Sequence, residues 1–170
     1  DLRLGDSLEV LSKFADNHFD AVVTDPPYGL ISIVKRFGKE KSAPAKFGND
    51  GSFSRLSKGF MGHDWDGQGI EYNVDFWKEV LRVSKPGAHM LAFSATKTYH
   101  RMTSAIEDAG FEIRDMITWN YGTGMPKSHH NIDGKGTALK PSIEPICVAR
   151  KPFQSTIKDN VDEWNTGVLN

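Results

Sequence analysis

Two adjacent prolines constrain this chain more than any other pair of residues. The run Phe19-Asp20-Ala21-Val22-Val23-Thr24 is rich in β-branched side chains and reads as a buried strand. Pro26 and Pro27 each lack the N–H that a strand ladder requires, so the strand must stop at Asp25-Pro26-Pro27-Tyr28. Upstream, Leu2-Arg3-Leu4 is a short strand-like alternation closed by Gly5-Asp6. Asp6 and Glu9 form a capping pair for a helix over 7–15, with Leu8, Leu11 and Phe14 at helical spacing. Strand, helix, strand and loop in this order open an α/β domain.

From residue 30 to residue 73 no apolar period persists. Between residues 31 and 60, Lys35, Arg36, Lys39, Lys41, Lys46, Arg55 and Lys58 stand against only Glu40 and Asp50, in a chain whose formal net charge is −1. A loop of this length in a compact domain is functional or a solvated insert. Regular patterning resumes with Asp75 as the expected N-cap of a helix carrying Phe76, Val80 and Val83, which Lys85-Pro86-Gly87 ends. A buried strand over 89–94 follows. Next comes a helix over 97–109, with Tyr99, Met102 and Ile106 on one stripe and Gly110 just past its end. Residues 111–121 and 143–151 read as two closing strands, and 154–170 as the start of a polar helix. This alternation predicts a largely parallel sheet with helices on both faces and an antiparallel final strand pair.

Composition narrows the function classes. A chain of 170 residues with 38% apolar residues is one globular domain or part of one. No apolar stretch approaches the length of a membrane span, and the start carries no signal-peptide pattern. The single cysteine, Cys147, rules out an internal disulfide and a four-cysteine zinc site.

The chemistry concentrates at Asp25-Pro26-Pro27-Tyr28. In open α/β sheets, ligands bind at the C-terminal ends of strands. The prolines remove competing N–H donors and leave backbone carbonyls facing whatever enters, Asp25 adds a carboxylate, and Tyr28 adds an aromatic face. Two acceptors beside a stacking ring suit a planar molecule bearing an exocyclic NH2 group.

The segment Val22-Val23-Thr24-Asp25-Pro26-Pro27-Tyr28-Gly29 resembles the catalytic motif of the S-adenosylmethionine-dependent DNA amino-methyltransferases, which modify adenine at N6 or cytosine at N4. Gly5-Asp6 is similar to that family's acidic cofactor-contacting position. Trp119 to Lys127, the segment 136–141 and Glu144-Pro145 are similar to its phage-type members. The resemblance implies a partial Rossmann-like methyltransferase sheet drawn from the strand order 3-2-1-4-5-7-6. It implies a catalytic domain over 1–153 with the basic insert at 30–73, followed by a truncated segment at 154–170. It further implies catalytic roles for Asp25, Pro26, Pro27 and Tyr28, and S-adenosylmethionine contacts from Asp6, Ser7 and Asp25. The partner would be double-stranded DNA, held at its phosphates by Lys35, Arg36, Lys39, Lys127 and Lys140, inside a bacterial or phage-infected cytoplasm.

Rival chemistries fit less well. Cytosine C5 methylation needs a nucleophilic cysteine, whereas Cys147 sits mid-strand among apolar neighbours and reads as core. His63 and the adjacent His129-His130 lack a third ligand at metal spacing, so no metal is expected. Gly122-Thr123-Gly124 and Gly134-Lys135-Gly136-Thr137 do not fit phosphate loops and read as turns. Arg150 and Lys151 join Lys127, Lys135 and Lys140 as a second cationic region beside the last strands, open to a phosphate backbone. Trp65, Trp119 and Tyr121 are candidates to support a flipped base, although for Trp119, inside a strand, core packing is the expectation.

The family's glycine-rich cofactor loop, a Phe-x-Gly-x-Gly-like element after a strand, is not found in these residues. The chain is therefore expected to be a fragment that binds cofactor weakly without the remaining half of its domain. Adenine-N6 methylation is favoured, because Asp rather than Ser precedes Pro-Pro. Cytosine-N4 methylation, a methyltransferase acting on RNA or protein amides, and a non-catalytic DNA-binding remnant stay open.

Overall fold

The computed structural model of the chain describes residues 1–28, 69–124, 139 and 141–169. Among these residues four strands form one sheet: β1 (Phe19–Thr24), β2 (Ser84–Phe93), β3 (Glu112–Asn120) and β4 (Ile143–Arg150), in the spatial order β1-β2-β4-β3. This is the order expected for strands 4-5-7-6. The expectation of a mostly parallel sheet is corrected. Only β1 and β2 pair in parallel, while β4 runs against both of its neighbours, β2 and β3. Consecutive strands that pair directly return antiparallel, because a parallel return needs a crossover between them.

Four helices accompany the described sheet: α1 (Ser7–Leu11), α2 (Val74–Val83), α3 (Tyr99–Asp108) and α4 (Ile157–Trp164), with a 3-10 turn at Ile70–Tyr72. Helices on both faces were expected, but the two long ones, α2 and α3, share one face. Phe76, Trp77 and Val80 of α2 and Met102, Ala105 and Ile106 of α3 close on Met90, Ala92, Cys147 and Ala149 of the sheet. Each fully buried large side chain in this cluster contributes roughly 1.5–3 kcal/mol, and Cys147 is core as expected.

Several local expectations shift. Residues 2–4 form no strand, and Leu2 and Leu4 are fully exposed. Without a neighbouring strand to accept their backbone bonds, two leucines cannot hold an extended segment in register. β1 has its expected bounds, but Val23 projects from the sheet face opposite the one through which Val22 packs on the core, and it is 70% exposed rather than buried. The N-cap of α2 is Asn73, whose side chain accepts from the Asp75 amide. Asp75 moves into the first turn, where its charge complements the helix dipole. α1 is shorter than expected, and its C-terminal end is tied down by Arg82. That guanidinium donates to the carbonyls of Leu11 at 3.1 Å and Phe14 at 2.9 Å, and to Asp16 at 2.6 Å.

Lys85-Pro86-Gly87 lies inside β2, which begins five residues earlier than expected, at Ser84, and the β1 pairing jumps from Phe19↔Ser84 to Ala21↔His89. α4 is capped by Thr156 and anchored there by Asn160, which is buried. The Asn160 amide donates to the carbonyls of Pro86 at 3.2 Å and Thr166 at 2.9 Å, and the Thr166 hydroxyl also donates to Pro86. Gly87 (φ +80°) and Gly167 (φ +102°) meet beside this amide, and a Cβ on Gly87 would come within 2.5 Å of Asn160 Nδ2 and 2.9 Å of Gly167 Cα. Among the described residues no helix is long and apolar enough to cross a membrane.

Gly87→Ala should therefore destabilise the chain by at least about 1–2 kcal/mol from its left-handed backbone alone, with the clash adding to that. Urea unfolding measures the change, and a loss below about 0.5 kcal/mol, the range of an ordinary surface substitution, would contradict this packing.

Candidate active site

Thr24, the last residue of β1, pairs with Ala92 near the C-terminal end of β2, so the chain leaves the sheet at that edge. Asp25 is exposed, Pro26 is buried, and Pro27 and Tyr28 are half-buried. With two amides missing, the ladder ends as the sequence requires. Among the described residues no cation pairs with Asp25 and no donor reaches the Pro26 carbonyl. The Tyr28 carbonyl, by contrast, accepts from Thr98 Oγ1 at 3.0 Å and lies 3.5 Å from the Tyr72 hydroxyl.

The antiparallel entry of β4 brings a second set of groups to the same edge. Glu144 pairs with Trp119, and the Tyr121 amide donates to the Ser142 carbonyl at 2.7 Å. Glu144 lies within reach of the hydroxyls of both Tyr28 and Tyr121. Burial, then hydrogen bonding to Asp25 and its negative charge, then Glu144, push the Tyr28 phenol far above its ordinary value. Hydrogen bonding to Glu144 comes first for Tyr121, followed by burial and the charges of Glu144 and Asp25, and its phenol is pushed up to about 12. Both hydroxyls thus stay protonated at neutral pH beside these carboxylates, and the wall they form is rich in acceptors.

Asp25, Pro26, Pro27 and Tyr28, contiguous in the chain, form the exit of β1. Asp6 is the N-cap of α1, its Oδ1 accepting from the amides of Leu8 at 2.9 Å and Glu9 at 3.3 Å, and Ser7 is the first residue of that helix. Lys35, Arg36, Lys39, Lys127 and Lys140 lie outside the described residues, as do Trp65, His63, His129 and His130. The expectation of Trp119 as core is corrected. It is 56% exposed on edge strand β3, its ring 6.5 Å from that of Phe93.

Arg150 and Lys151 are likewise corrected as phosphate contacts, because antiparallel β4 carries them to the opposite edge of the sheet from Asp25. There Arg150 pairs with Glu112 at 2.6 Å and stacks over Phe153, while Lys151 donates to Asn17 and to the Ser84 carbonyl, both at 2.8 Å. Glu144, Thr98 and Tyr72 were missed as site residues. Glu144 carried a signal, since it stands in the Glu144-Pro145 pair of the family resemblance, whereas Thr98 and Tyr72 had none, because only the tertiary fold brings them to Tyr28.

All four tyrosines of the chain have raised values, through burial first for Tyr28, Tyr72 and Tyr99 and through Glu144 first for Tyr121. A phenol raised in the folded state contributes stability that is complete below its unfolded value of 10 and is lost as pH rises through the folded value, about 12 for Tyr121. Ultraviolet titration of the folded chain should therefore show less than half of the full phenolate signal at pH 10. Glu144→Gln should bring one tyrosine back toward that pH. A folded chain titrating with an ordinary midpoint would refute the carboxylate–phenol cluster.

Comparison with known proteins gives the family and the fold. The chain is 25% identical over 199 residues to the type II methyltransferase M.HindIII of Haemophilus influenzae, an alignment covering 97% of this chain and 63% of that protein. It thus spans less than two thirds of the relative's length. Among solved structures, the PvuII DNA methyltransferase (cytosine-N4-specific) superposes with a TM-score of 0.54 at 15% identity, over 98% of this chain and 55% of that one. A DNA modification methylase of Thermus thermophilus, complexed with S-adenosyl-L-methionine, gives 0.50 at 22% identity, over 94% and 59%. These likenesses show a shared fold. The family model described as DNA methylase, of the N6/N4 methyltransferase type, matches residues 19–166, nearly the whole chain and every strand of its sheet, and the chain belongs to that family.

Proposed function

We propose that this protein methylates the exocyclic amine of a flipped-out adenine, at N6, in double-stranded DNA, with S-adenosylmethionine as methyl donor. The observation that carries this reading is the exposed Asp25 carboxylate, free of any cation among the described residues, beside a Tyr28 ring held at the end of β1. An aromatic amine is a poor nucleophile because its lone pair is delocalised into the ring. Asp25 and the Pro26 carbonyl, accepting its two N–H bonds, would localise that lone pair along one direction, and Asp25 would take the proton lost as the N–CH3 bond forms. Oriented acceptors and positioning supply the rate. Extruding the base costs a few kcal/mol, of which stacking on Tyr28 returns about 1–3 kcal/mol.

S-adenosylmethionine, when bound, supplies an electrophilic methyl group on a sulfonium. The described residues fit part of such a ligand. Asp25 is an uncompensated carboxylate beside the open flank of β1, and Asp6 and Ser7 offer further acceptors at the head of α1. They offer no Phe-x-Gly-x-Gly-like turn after a strand. We infer that a segment beyond these residues completes the cofactor site along the exposed Val23 side of β1. We assign Lys35, Arg36, Lys39, Lys127 and Lys140 to the DNA phosphates, and the enzyme to a bacterial or phage-infected cytoplasm.

A second reading, cytosine-N4 methylation, is favoured by the likeness to the PvuII enzyme, whose own name states that specificity. Asp25, where Ser would point to cytosine, supports adenine.

Nucleoside analysis of duplex DNA treated with the complete polypeptide distinguishes N6-methyladenine from N4-methylcytosine. Absence of both would sink the proposal and leave RNA, protein amides or simple DNA binding. Asp25→Ala should lower turnover by roughly 10²–10⁴-fold and leave DNA affinity nearly intact. Unchanged turnover would remove Asp25 from its role. Isothermal titration of residues 1–170 with S-adenosylmethionine should detect no micromolar binding, and such binding would show that no further segment is needed.

A further inference from the structure

Thr98 occupies the N-cap of α3 yet makes no side-chain capping bond there. A threonine at that position ordinarily accepts from an amide in the first turn, worth about 1 kcal/mol. Here the hydroxyl turns instead to the Tyr28 carbonyl, 70 residues away in sequence and 3.0 Å away in space. Its alternative acceptor, the Ala95 carbonyl, is at 3.5 Å, so the single hydroxyl proton goes to Tyr28. The Tyr72 hydroxyl approaches the same carbonyl at 3.5 Å from the 3-10 turn before α2, and Arg101, in the first turn of α3, lies over the Tyr72 ring at 5.9 Å. Two elements that precede the helices of the core thus converge on one backbone oxygen immediately after the proline pair.

We propose that Thr98, assisted by Tyr72, is a positioning residue for methyl transfer. By holding the Tyr28 carbonyl it fixes the backbone immediately after the proline pair. That anchor sets the direction of the stacking ring and, through the stiff prolines, the direction of the Pro26 carbonyl. A carbonyl engaged in this way takes no part in gripping the base, which leaves Asp25 and Pro26 as the acceptor pair. Misplacement of such a pair by about 1 Å is enough to slow a reaction about 100-fold. This inference rests on the methyltransferase reading above.

The test compares Thr98→Val, which removes the donor at nearly constant shape, with Thr98→Ser, which keeps it, and with Tyr72→Phe, all in the complete polypeptide. Thr98→Val should lower the single-turnover methylation rate by about 10–100-fold while KM for DNA stays within about twofold. Thr98→Ser should restore most of the rate, and Tyr72→Phe should lose less than Thr98→Val. In protein carrying carbonyl-13C tyrosine, the Tyr28 resonance should move in Thr98→Val and return in Thr98→Ser. A wild-type rate in Thr98→Val, or a rate in Thr98→Ser as low as in Thr98→Val, would overturn the positioning role, the latter because the methyl group and not the hydroxyl would then matter. An unmoved Tyr28 resonance in a folded Thr98→Val protein would overturn the hydrogen bond itself. Failure of the unsubstituted protein to methylate would instead defeat the functional reading, with the resonance shift still present, so the two failures are separable. If Thr98→Val does not fold, Thr98→Ser and Tyr72→Phe still decide between rates that follow the hydroxyl count and rates that do not.

Discussion

The loss of two consecutive backbone donors at Pro26 and Pro27 is the constraint on which the site depends. A strand inside an α/β sheet normally fades into a loop over several residues. β1 instead stops at a defined residue, with its last ladder partner at Ala92 and an acidic side chain immediately beyond it. The prolines also stiffen the exit, so a bond made at Tyr28 is transmitted back to Asp25 with little slack. Buried Pro26 and exposed Asp25 are two results of the same geometry, one residue turned to the interior and its neighbour outward.

Around that exit the electrostatics are one-sided. Asp25 and Glu144 bring negative charge, and Tyr28 and Tyr121 answer with hydroxyls whose acidity is suppressed by burial and by those carboxylates. Three cations of the described fold are engaged elsewhere: Arg150 on Glu112, Lys151 on Asn17 and Ser84, and Arg82 on the end of α1. An edge with acceptors in excess suits a guest that brings N–H groups, which is the chemical demand of an amino-bearing base.

Much of this was legible in the sequence, and the remainder was not for physical reasons. β1 was readable to the residue because proline chemistry is local, and α3 because its stripe and Gly110 mark both its face and its end. Cys147 was readable because small apolar neighbours at strand spacing leave it little else to do. The antiparallel final pair was legible, but the direction of β4 against β2 was not, since β4 could be threaded beside β2 in either sense without changing a single local pattern. The same ambiguity misassigned Arg150 and Lys151, whose charge is evident in the sequence but whose edge of the sheet is set by strand direction. Burial of β1 and of Trp119 was overestimated because composition reports what a strand prefers, and what covers each face of the sheet decides what its side chains receive. Asn73 displaced Asp75 as a cap because either side chain can do the work and the preceding 3-10 turn chose between them. Thr98 and Tyr72 left no trace, since each is an ordinary residue in its own segment.

The interposition of β4 between β2 and β3 orders events in time. Within the described sheet β3 bonds only to β4, so although it leaves the ribosome first, it has no partner until the chain has been made through Arg150. Until then Met116, Ile117 and Trp119 stand on an unclaimed ribbon, and the last-made of the described strands is the one that joins β3 to the sheet. Its assembly waits on a contact that spans many residues and so comes late, at the stage when nascent chains of this topology are most exposed to mispairing.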